Sequence, residues 1–374
     1  MNARPLVAFH APMKGPDHPV PSGDRTVARL YLAALRLAGF DVEVVSEFRS
    51  YDGKGDAERQ AGLLAEAEGE RARLLARWAA PGARRPDLWF TYHLYHKAPD
   101  LLGPDLAAAL AIPYAVAEPS YAPKRAGGAW NAFFRKAEAA LRAADVAFIT
   151  TAADAECVVP LRGAGLCVRV PPFIDVAAQN HIAQHADDGG PVRMVCVAMM
   201  RKGDKTESYR ILANALKVLD DCDWLLSVAG DGDTRDMIGE FFSRMTPRIK
   251  FLGRVEGREQ ISSLLAASDI FVWPAVNEAF GMALLEASAH GLPVVAGREG
   301  GVCDVVLDGV TGVLSVPRDA ADFAEKLCAL LVDAPLRRRM GAAGAAFVRE
   351  QRGLDQAAAV LRATLGPLIG KRAT

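Results

Sequence analysis

The feature that most constrains this chain is an end-to-end alternation of short apolar runs with longer runs of helical spacing. Leu6–His10 is a compact apolar run, and Arg25–Ala38 then places Val27, Leu30, Tyr31, Ala34, Leu35 and Leu37 at helical intervals. Gly39 stands where a helix ends in a left-handed turn, and Asp41–Ser46 returns to strand character. Strand, helix, strand is the unit that builds a parallel sheet, because the helix carries the chain back to the edge from which the next strand starts. The same alternation predicts strands at Leu88–Tyr92, Tyr114–Ala117, Val146–Thr150 and Val168–Pro171, with helices at Asp56–Ala80, Leu101–Leu110 and Trp130–Ala143.

Pro171-Pro172 and the polar stretch Asn180–Pro191 interrupt the pattern and read as a linker. A second series then predicts strands at Val192–Ala198, Trp224–Ala229, Ile249–Leu252, Ile270–Pro274, Pro293–Ala296 and Gly312–Ser315. Its helices are Ser208–Leu219, Glu259–Ala267, Gly281–His290, Ala320–Val332, Leu336–Gln351 and Gln356–Leu365. At 374 residues the chain is too long for one ordinary core, and two doubly wound α/β domains account for it. The expected division is 1–175, a linker at 176–191, a second domain at 192–352, and a closing segment at 353–374.

Composition narrows the function classes. Hydrophobic residues make up 51% and charged residues 24%, a globular balance, and the formal net charge of -1 supplies no global field for nucleic acid or an acidic membrane. The six cysteines form no CxxC pair, so a zinc or thioredoxin-type site is not expected, and they read as thiols in a reducing compartment. The first residues read as a strand rather than a signal peptide, and no apolar run is long enough to span a bilayer, which predicts a cytoplasmic protein. One local exception is 122–144, where Lys124, Arg125, Arg135, Lys136 and Arg142 interleave with Trp130, Phe133, Phe134 and Leu141. That basic amphipathic pattern fits either a domain helix burying its aromatics or a peripheral membrane contact.

Open α/β sheets bind ligands beyond the carboxyl ends of their strands. The most informative such loop follows Ile270–Pro274. A helix is expected to begin near Phe280, and its first backbone N–H groups, without internal partners, favour an anion such as a diphosphate. Gly281 removes the Cβ that would block close approach, and Phe280 to Met282 present the helix start. Glu278, in the loop, suits sugar hydroxyls, since a carboxylate accepts two hydrogen bonds from a diol. Glu286 is one turn beyond Met282, leans back toward the helix start, and can reach a ribose diol.

The segment NEAFGMALLEASAHGLPVVAGREGGVCDVVLDGVTGVLSVP resembles the donor-site signature of glycosyltransferase family 4, with its Glu-x7-Glu pair. The resemblance implies a GT-B fold, with two Rossmann-like domains facing a central cleft, the nucleotide-sugar donor in the C-terminal half and the acceptor in the N-terminal half. It implies a metal-independent transfer, with no cofactor, that retains anomeric configuration. It assigns Glu278 to the donor sugar and Glu286 to the ribose, and it brings the closing helix back onto the first domain.

Val195–Lys205 occupies the place of the family's Gly-Arg-Leu…Lys-Gly loop, so Arg201 and Lys205 are expected to offset the charge of the leaving diphosphate. Met199 stands at the family's arginine position, with Arg201 two residues later. Gly230 and Asp231 resemble the glycine-rich turn near the donor, Leu252 and Val255 the loop that meets the base, and Gly301 the glycine step beside the phosphates. Asp231-Gly232-Asp233 could also be read as a metal-binding DxD, but such sites belong to a different glycosyltransferase fold and two acids in a turn are common.

In the first half, Gly23 resembles a residue of the family's glycine loop, near phosphate or acceptor. His93, after a strand, is preferred over His96 as the site histidine, because Ala117–Tyr121 after the next strand has none. The acceptor stays open among glycan, lipid-linked and small molecules. A dinucleotide oxidoreductase is disfavoured by the absence of GxGxxG after the first strand. A non-catalytic nucleotide-sugar-binding chain of the same fold is the remaining alternative.

Overall fold

Alternating apolar runs, each followed by a helix, resolve into two parallel sheets in a computed structural model that describes residues 4–20, 22–178 and 189–372. The first series gives β1 (Leu6–His10), α1 (Gly23–Leu37), β2 (Asp41–Val44), α2 (Ala57–Ala79), β3 (Leu88–Tyr92), α3 (Gly103–Leu110), β4 (Tyr114–Ala117), α4 (Asn131–Ala143), β5 (Val146–Ile149), α5 (Ala152–Arg162) and β6 (Cys167–Arg169). The second gives β7 (Val192–Val197), α6 (Asp204–Leu216), β8 (Trp224–Ala229), α7 (Arg235–Phe241), β9 (Ile249–Gly253), α8 (Arg258–Ala266), β10 (Ile270–Trp273), α9 (Met282–Ala289), β11 (Val294–Gly297), β12 (Gly312–Ser315), α10 (Ala320–Val332), α11 (Ala334–Gln351) and α12 (Leu354–Arg372).

Two compact units result, one comprising Met1–Pro171 with Leu354–Thr374, the other Pro172–Gly353. The expected linker at 176–191 lies in part outside the described residues. The helix α12 belongs to the first unit, where the Arg362 guanidinium donates to the carbonyls of Ala38 and Leu37 at 2.9 and 2.8 Å and so caps the C-terminus of α1. The sequence pattern showed neither α5 nor α7. The first carries Pro160 inside it, and the second has only seven residues before an irregular 3-10 stretch at Ser243–Arg248.

Strand order decides where a ligand can sit. The first sheet runs β2-β1-β3-β4-β5-β6 and the second β12-β11-β10-β7-β8-β9, all pairings parallel. The direction of winding reverses between β1 and β3 in the first unit and between β7 and β10 in the second. At such a switch point the two following loops diverge to opposite faces and leave a crevice.

Burial holds these ends in place. In the first unit Phe9, Phe90 and Phe148 stack across one face of the sheet at centroid separations of 5.8 and 6.0 Å, beneath Tyr31 of α1. Trp89, on the opposite face, meets Trp78 of α2 edge-on at 6.5 Å. Each such aromatic, fully buried, is worth roughly 1.5–3 kcal/mol. The helix α4 buries Phe133, Phe134, Ala137, Ala140 and Leu141, so its apolar stripe is used in the core. Arg135 and Arg142 pair along the helix with Glu138. Among the described residues no helix is long and apolar enough to cross a membrane.

Candidate functional site

The loops after β7 and β10 converge at the switch point of the second unit. Lys205, in the first turn of α6, places its Nζ 2.5 Å from Glu278 Oε2 and over the ring of Trp273 at 5.3 Å. Trp273, the last residue of β10, donates its Nε1–H to the same carboxylate oxygen at 3.2 Å. Neither partner is sealed from solvent, with side-chain exposures of 27% for Lys205 and 18% for Glu278. A carboxylate close to a diphosphate would be repelled by it, and a fixed ammonium group beside Glu278 removes that objection.

The backbone carrying Glu278 is strained and tightly held. Ala275 and Asn277 adopt φ of 58° and 49°, a left-handed conformation that non-glycine residues rarely take outside functional loops. Ser208 Oγ accepts from Val276 N–H at 3.0 Å, Glu299 accepts from Asn277 N–H at 2.7 Å, Asp204 accepts from the Asn277 amide at 2.9 Å, and Ala279 carbonyl accepts from Gly301 N–H at 2.7 Å. Four anchors over five residues fix the loop before any ligand arrives.

The helix expected to start near Phe280 starts two residues later. Gly281 is the cap, at φ 78°, and Met282 is the first helical residue. A left-handed step needs glycine, and it turns Phe280 down into the core, so Met282 and its neighbours, rather than Phe280, offer the free N–H groups of α9. Glu286 lies one turn further on α9, between the buried Leu285 and Ala287. Burial pushes its carboxyl up to about 7, with the Arg258 charge opposing.

In the first unit the switch point joins the loop after β1 to the loop after β3. Gly23 opens α1, which Ser22 caps by accepting from Arg25 N–H at 3.3 Å, and a Cβ added at Gly23 would meet nothing within 4 Å. His93 follows β3 at φ 61°, and Glu118 follows β4 at φ 52°. The His93 Nδ1 is 3.4 Å from Asp24 Oδ1 and 3.6 Å from Glu118 Oε1. Burial works against a charged imidazole, but the nearby Asp24 carboxylate and the charges of Glu118 and Asp154 outweigh it and raise the His93 pKa. Burial also pushes the Glu118 carboxyl up to about 7. The sequence names Gly23 and His93 as candidates; it does not single out Asp24, Glu118 and Asp154, which the structure brings to His93. Their signal was an acid at the first positions after a strand or at a helix start, which is too common to stand out alone.

Residues 191–333 match the family described as glycosyl transferases group 1. Sulfoquinovosyl transferase SQD2 of Arabidopsis thaliana is 33% identical over 159 residues, covering 42% of this chain and 30% of that protein. A D-inositol 3-phosphate glycosyltransferase of Corynebacterium diphtheriae is 43% identical over 96 residues, 26% of this chain and 22% of that protein. The second unit contains a glycosyltransferase group 1 domain. The chain spans under a third of the length of these two curated relatives. A sucrose-phosphate synthase from Thermosynechococcus elongatus aligns over 98% of this chain and 100% of its own with a TM-score of 0.74 at 18% identity. HepE of Anabaena, solved with UDP, aligns over 97% of this chain and 100% of its own with a TM-score of 0.70 at 17% identity. The fold is therefore GT-B.

The group 1 domain knits its other loops around the same crevice. Met200 N–H donates to Asp231 carbonyl at 3.0 Å and Gly230 N–H to Gly253 carbonyl at 2.8 Å, so the loops after β7, β8 and β9 form one surface. A Cβ at Gly230 would stand 1.9 Å from the Ala198 carbonyl oxygen, which requires glycine there for backbone contact. The Asp231 carboxylate is engaged by Gly232 N–H at 2.9 Å and by Arg235 at 3.6 Å, a turn and helix-start role. Leu252 lies within β9, and only Val255 is in the loop after it. Arg201 is exposed, and its carbonyl accepts from Thr206. Lys205 is thus the cation that the structure brings to Glu278.

Gly300 is the glycine of the Gly300-Gly301 step that carries the close approach. Its φ is +54° and an added Cβ would stand 2.0 Å from the Glu278 carbonyl oxygen. Gly300→Ala is expected to destabilise the protein by about 1–3 kcal/mol, by strain at this backbone position, and to displace the Glu278 loop. Chemical denaturation and donor titration of the same sample will read both losses, and an unchanged midpoint contradicts the expectation.

Proposed function

We propose that the chain is a retaining glycosyltransferase of family 4 that moves a sugar from a nucleoside-diphosphate donor to an acceptor. The observation that carries this reading is the Lys205–Glu278 pair at the switch point of the second unit, beside the N-terminus of α9 and one turn from Glu286. The diphosphate is held by the free N–H groups at Met282 and by Lys205, with Arg201 reaching in from the same loop. Glu278 accepts from the donor sugar hydroxyls and Glu286 from the ribose diol. Lys205 and Arg201, rather than a bound metal, offset the negative charge that develops on the leaving diphosphate. Within the first unit, His93 and its neighbouring acids are assigned to the acceptor.

A nucleotide-sugar donor fits relatives whose names or structures carry one. HepE was solved with UDP-glucose, and a Corynebacterium glutamicum relative is a GDP-mannose-dependent mannosyltransferase. All six cysteines are free, which suits work in the cytoplasm.

Thermal shift against UDP-, GDP- and ADP-sugars tests donor binding. A ligand at a hundredfold its dissociation constant stabilises by about 2.7 kcal/mol. Slow release of nucleoside diphosphate from the matching donor, absent in Glu278→Ala, supports the transferase. Donor binding with no turnover across a broad acceptor panel supports a non-catalytic binder instead.

A further inference from the structure

Next to the switch point of the first unit, one surface combines contacting aromatic rings with exposed cations. Three loops are pinned together beyond β2, β3 and the start of α4. Asp52 N–H donates to Lys97 carbonyl at 2.8 Å, Trp130 Nε1–H donates to Asp52 carbonyl at 2.9 Å, and the Gln60 amide donates to Ala129 carbonyl at 3.1 Å. The Asp52 carboxylate is consumed by the N–H groups of Lys54, Gly55 and Asp56.

On this frame the rings form a continuous ledge that begins at His93. Centroid separations are 5.8 Å from His93 to Tyr95, 4.4 Å from Tyr95 to His96 and 6.1 Å from His96 to Trp130. Tyr95 and Trp130 are half-exposed. His96 is only 4% exposed, yet neither ring nitrogen makes a hydrogen bond. An imidazole buried without partners has lost its water contacts for nothing unless a ligand supplies them.

The charges around the ledge are of one sign. Lys97 Nζ lies 4.7 Å above the Trp130 ring, Arg125 is exposed near Tyr95 and His96, and Lys54 and Lys124 are exposed on the same loops. Among the described residues none of these four pairs with a carboxylate. Burial, together with the Arg125 and Lys97 charges, pushes His96 down to about 4, so the ring is neutral and can both donate and accept. Half-exposed aromatic side chains suit a sugar, a neutral imidazole suits a hydroxyl, and unpaired cations suit a multiply charged anion.

We propose that the Tyr95–His96–Trp130 ledge, flanked by Lys97 and Arg125, is the acceptor subsite and that it takes a saccharide carrying a phosphate group. This rests on the transferase reading. Single-stranded nucleic acid also uses cations with aromatics, but the net charge of -1 supplies no wider field to recruit it.

The test is calorimetric titration of the full chain with hexose phosphates and inositol phosphates against their neutral parents. It is run on wild type and on the Lys97→Ala/Arg125→Ala variant. Phosphorylated sugars should bind at least about tenfold more tightly than the neutral ones, and the variant should lose that preference while binding nucleoside diphosphate as before. The proposal is overturned if there is no preference, if the preference survives in the variant, or if it disappears with Lys205→Ala instead. Tighter binding of a short oligothymidylate than of any sugar phosphate overturns it as well.

Co-sedimentation with phosphatidylcholine vesicles, with and without phosphatidylinositol, separates the sources. Sedimentation that needs phosphatidylinositol and falls in the variant assigns the phosphate to a lipid, and sugar-phosphate binding without sedimentation assigns it to a soluble acceptor. If no nucleoside diphosphate binds, the transferase reading fails, while the sugar-phosphate titration still decides the ledge.

Discussion

Replacing Lys205 by alanine is expected to lower sugar transfer by about 10²- to 10³-fold, the usual cost of removing one preorganised group that stabilises developing charge. The fold should survive, because Lys205 is partly exposed in the first turn of α6 and, among the described residues, its ammonium touches only Glu278 and the Trp273 ring. Two effects add. The leaving diphosphate loses a fixed cation, and Glu278, left with the Trp273 Nε1–H as its donor, becomes an uncompensated negative charge beside it. Lys205→Arg should recover part of the rate, since charge is restored while the point-like geometry of an ammonium is not. Steady-state release of nucleoside diphosphate, with melting temperature as the control, measures this. A rate within threefold of wild type at unchanged stability would show that another group offsets the charge.

The second large effect is a pH dependence of donor binding set by Glu286. Burial pushes this carboxyl up to about 7 against the Arg258 charge. A ribose diol donates its hydrogen bonds and therefore prefers the ionised carboxylate. Donor affinity should rise with pH by up to about tenfold per unit below that value and level off above it. The sign for the free protein is the reverse. A carboxyl whose folded pKa is raised holds a proton that the unfolded chain has lost, so its contribution to stability is present below the unfolded value and falls as pH rises toward about 7. Stability from this group thus declines over the window in which donor affinity climbs. Glu118 in the first unit is also pushed up to about 7, so Glu286→Gln is the necessary comparison. That variant should bind donor weakly with no pH slope. A slope that persists in Glu286→Gln assigns the dependence to another group.

The fold was legible because α/β alternation leaves a periodic trace. Strand ends such as Leu6–His10, Leu88–Tyr92 and Gly312–Ser315 follow from runs that are buried on both faces of a parallel sheet. What failed to show was irregular. The helix α5 carries Pro160, and α9 starts after a left-handed Gly281 that a periodicity argument places inside the helix. Glu278 and Glu286 stood out because an acid amid Phe280, Leu284 and Leu285 breaks its surroundings. Lys205 came from a loop match. Its contact with Glu278 depends on β7 and β10 being neighbours, a long-range pairing that spacing along the chain does not reveal. Asp24 and Glu118 were missed for the same reason, since only the order β1-β3-β4 brings them to His93. The strained backbone of His93, Glu118, Ala275 and Asn277 has no sequence signature, because it is imposed by the surrounding hydrogen bonds rather than by local preference.

The most direct test of the account is a crystal structure of the chain with the nucleoside diphosphate that raises its melting temperature most. The diphosphate is expected between Lys205 Nζ and the backbone N–H groups at Met282, with the ribose hydroxyls on Glu286. A nucleotide bound elsewhere, or bound there with Glu286 turned away from the ribose, would contradict it.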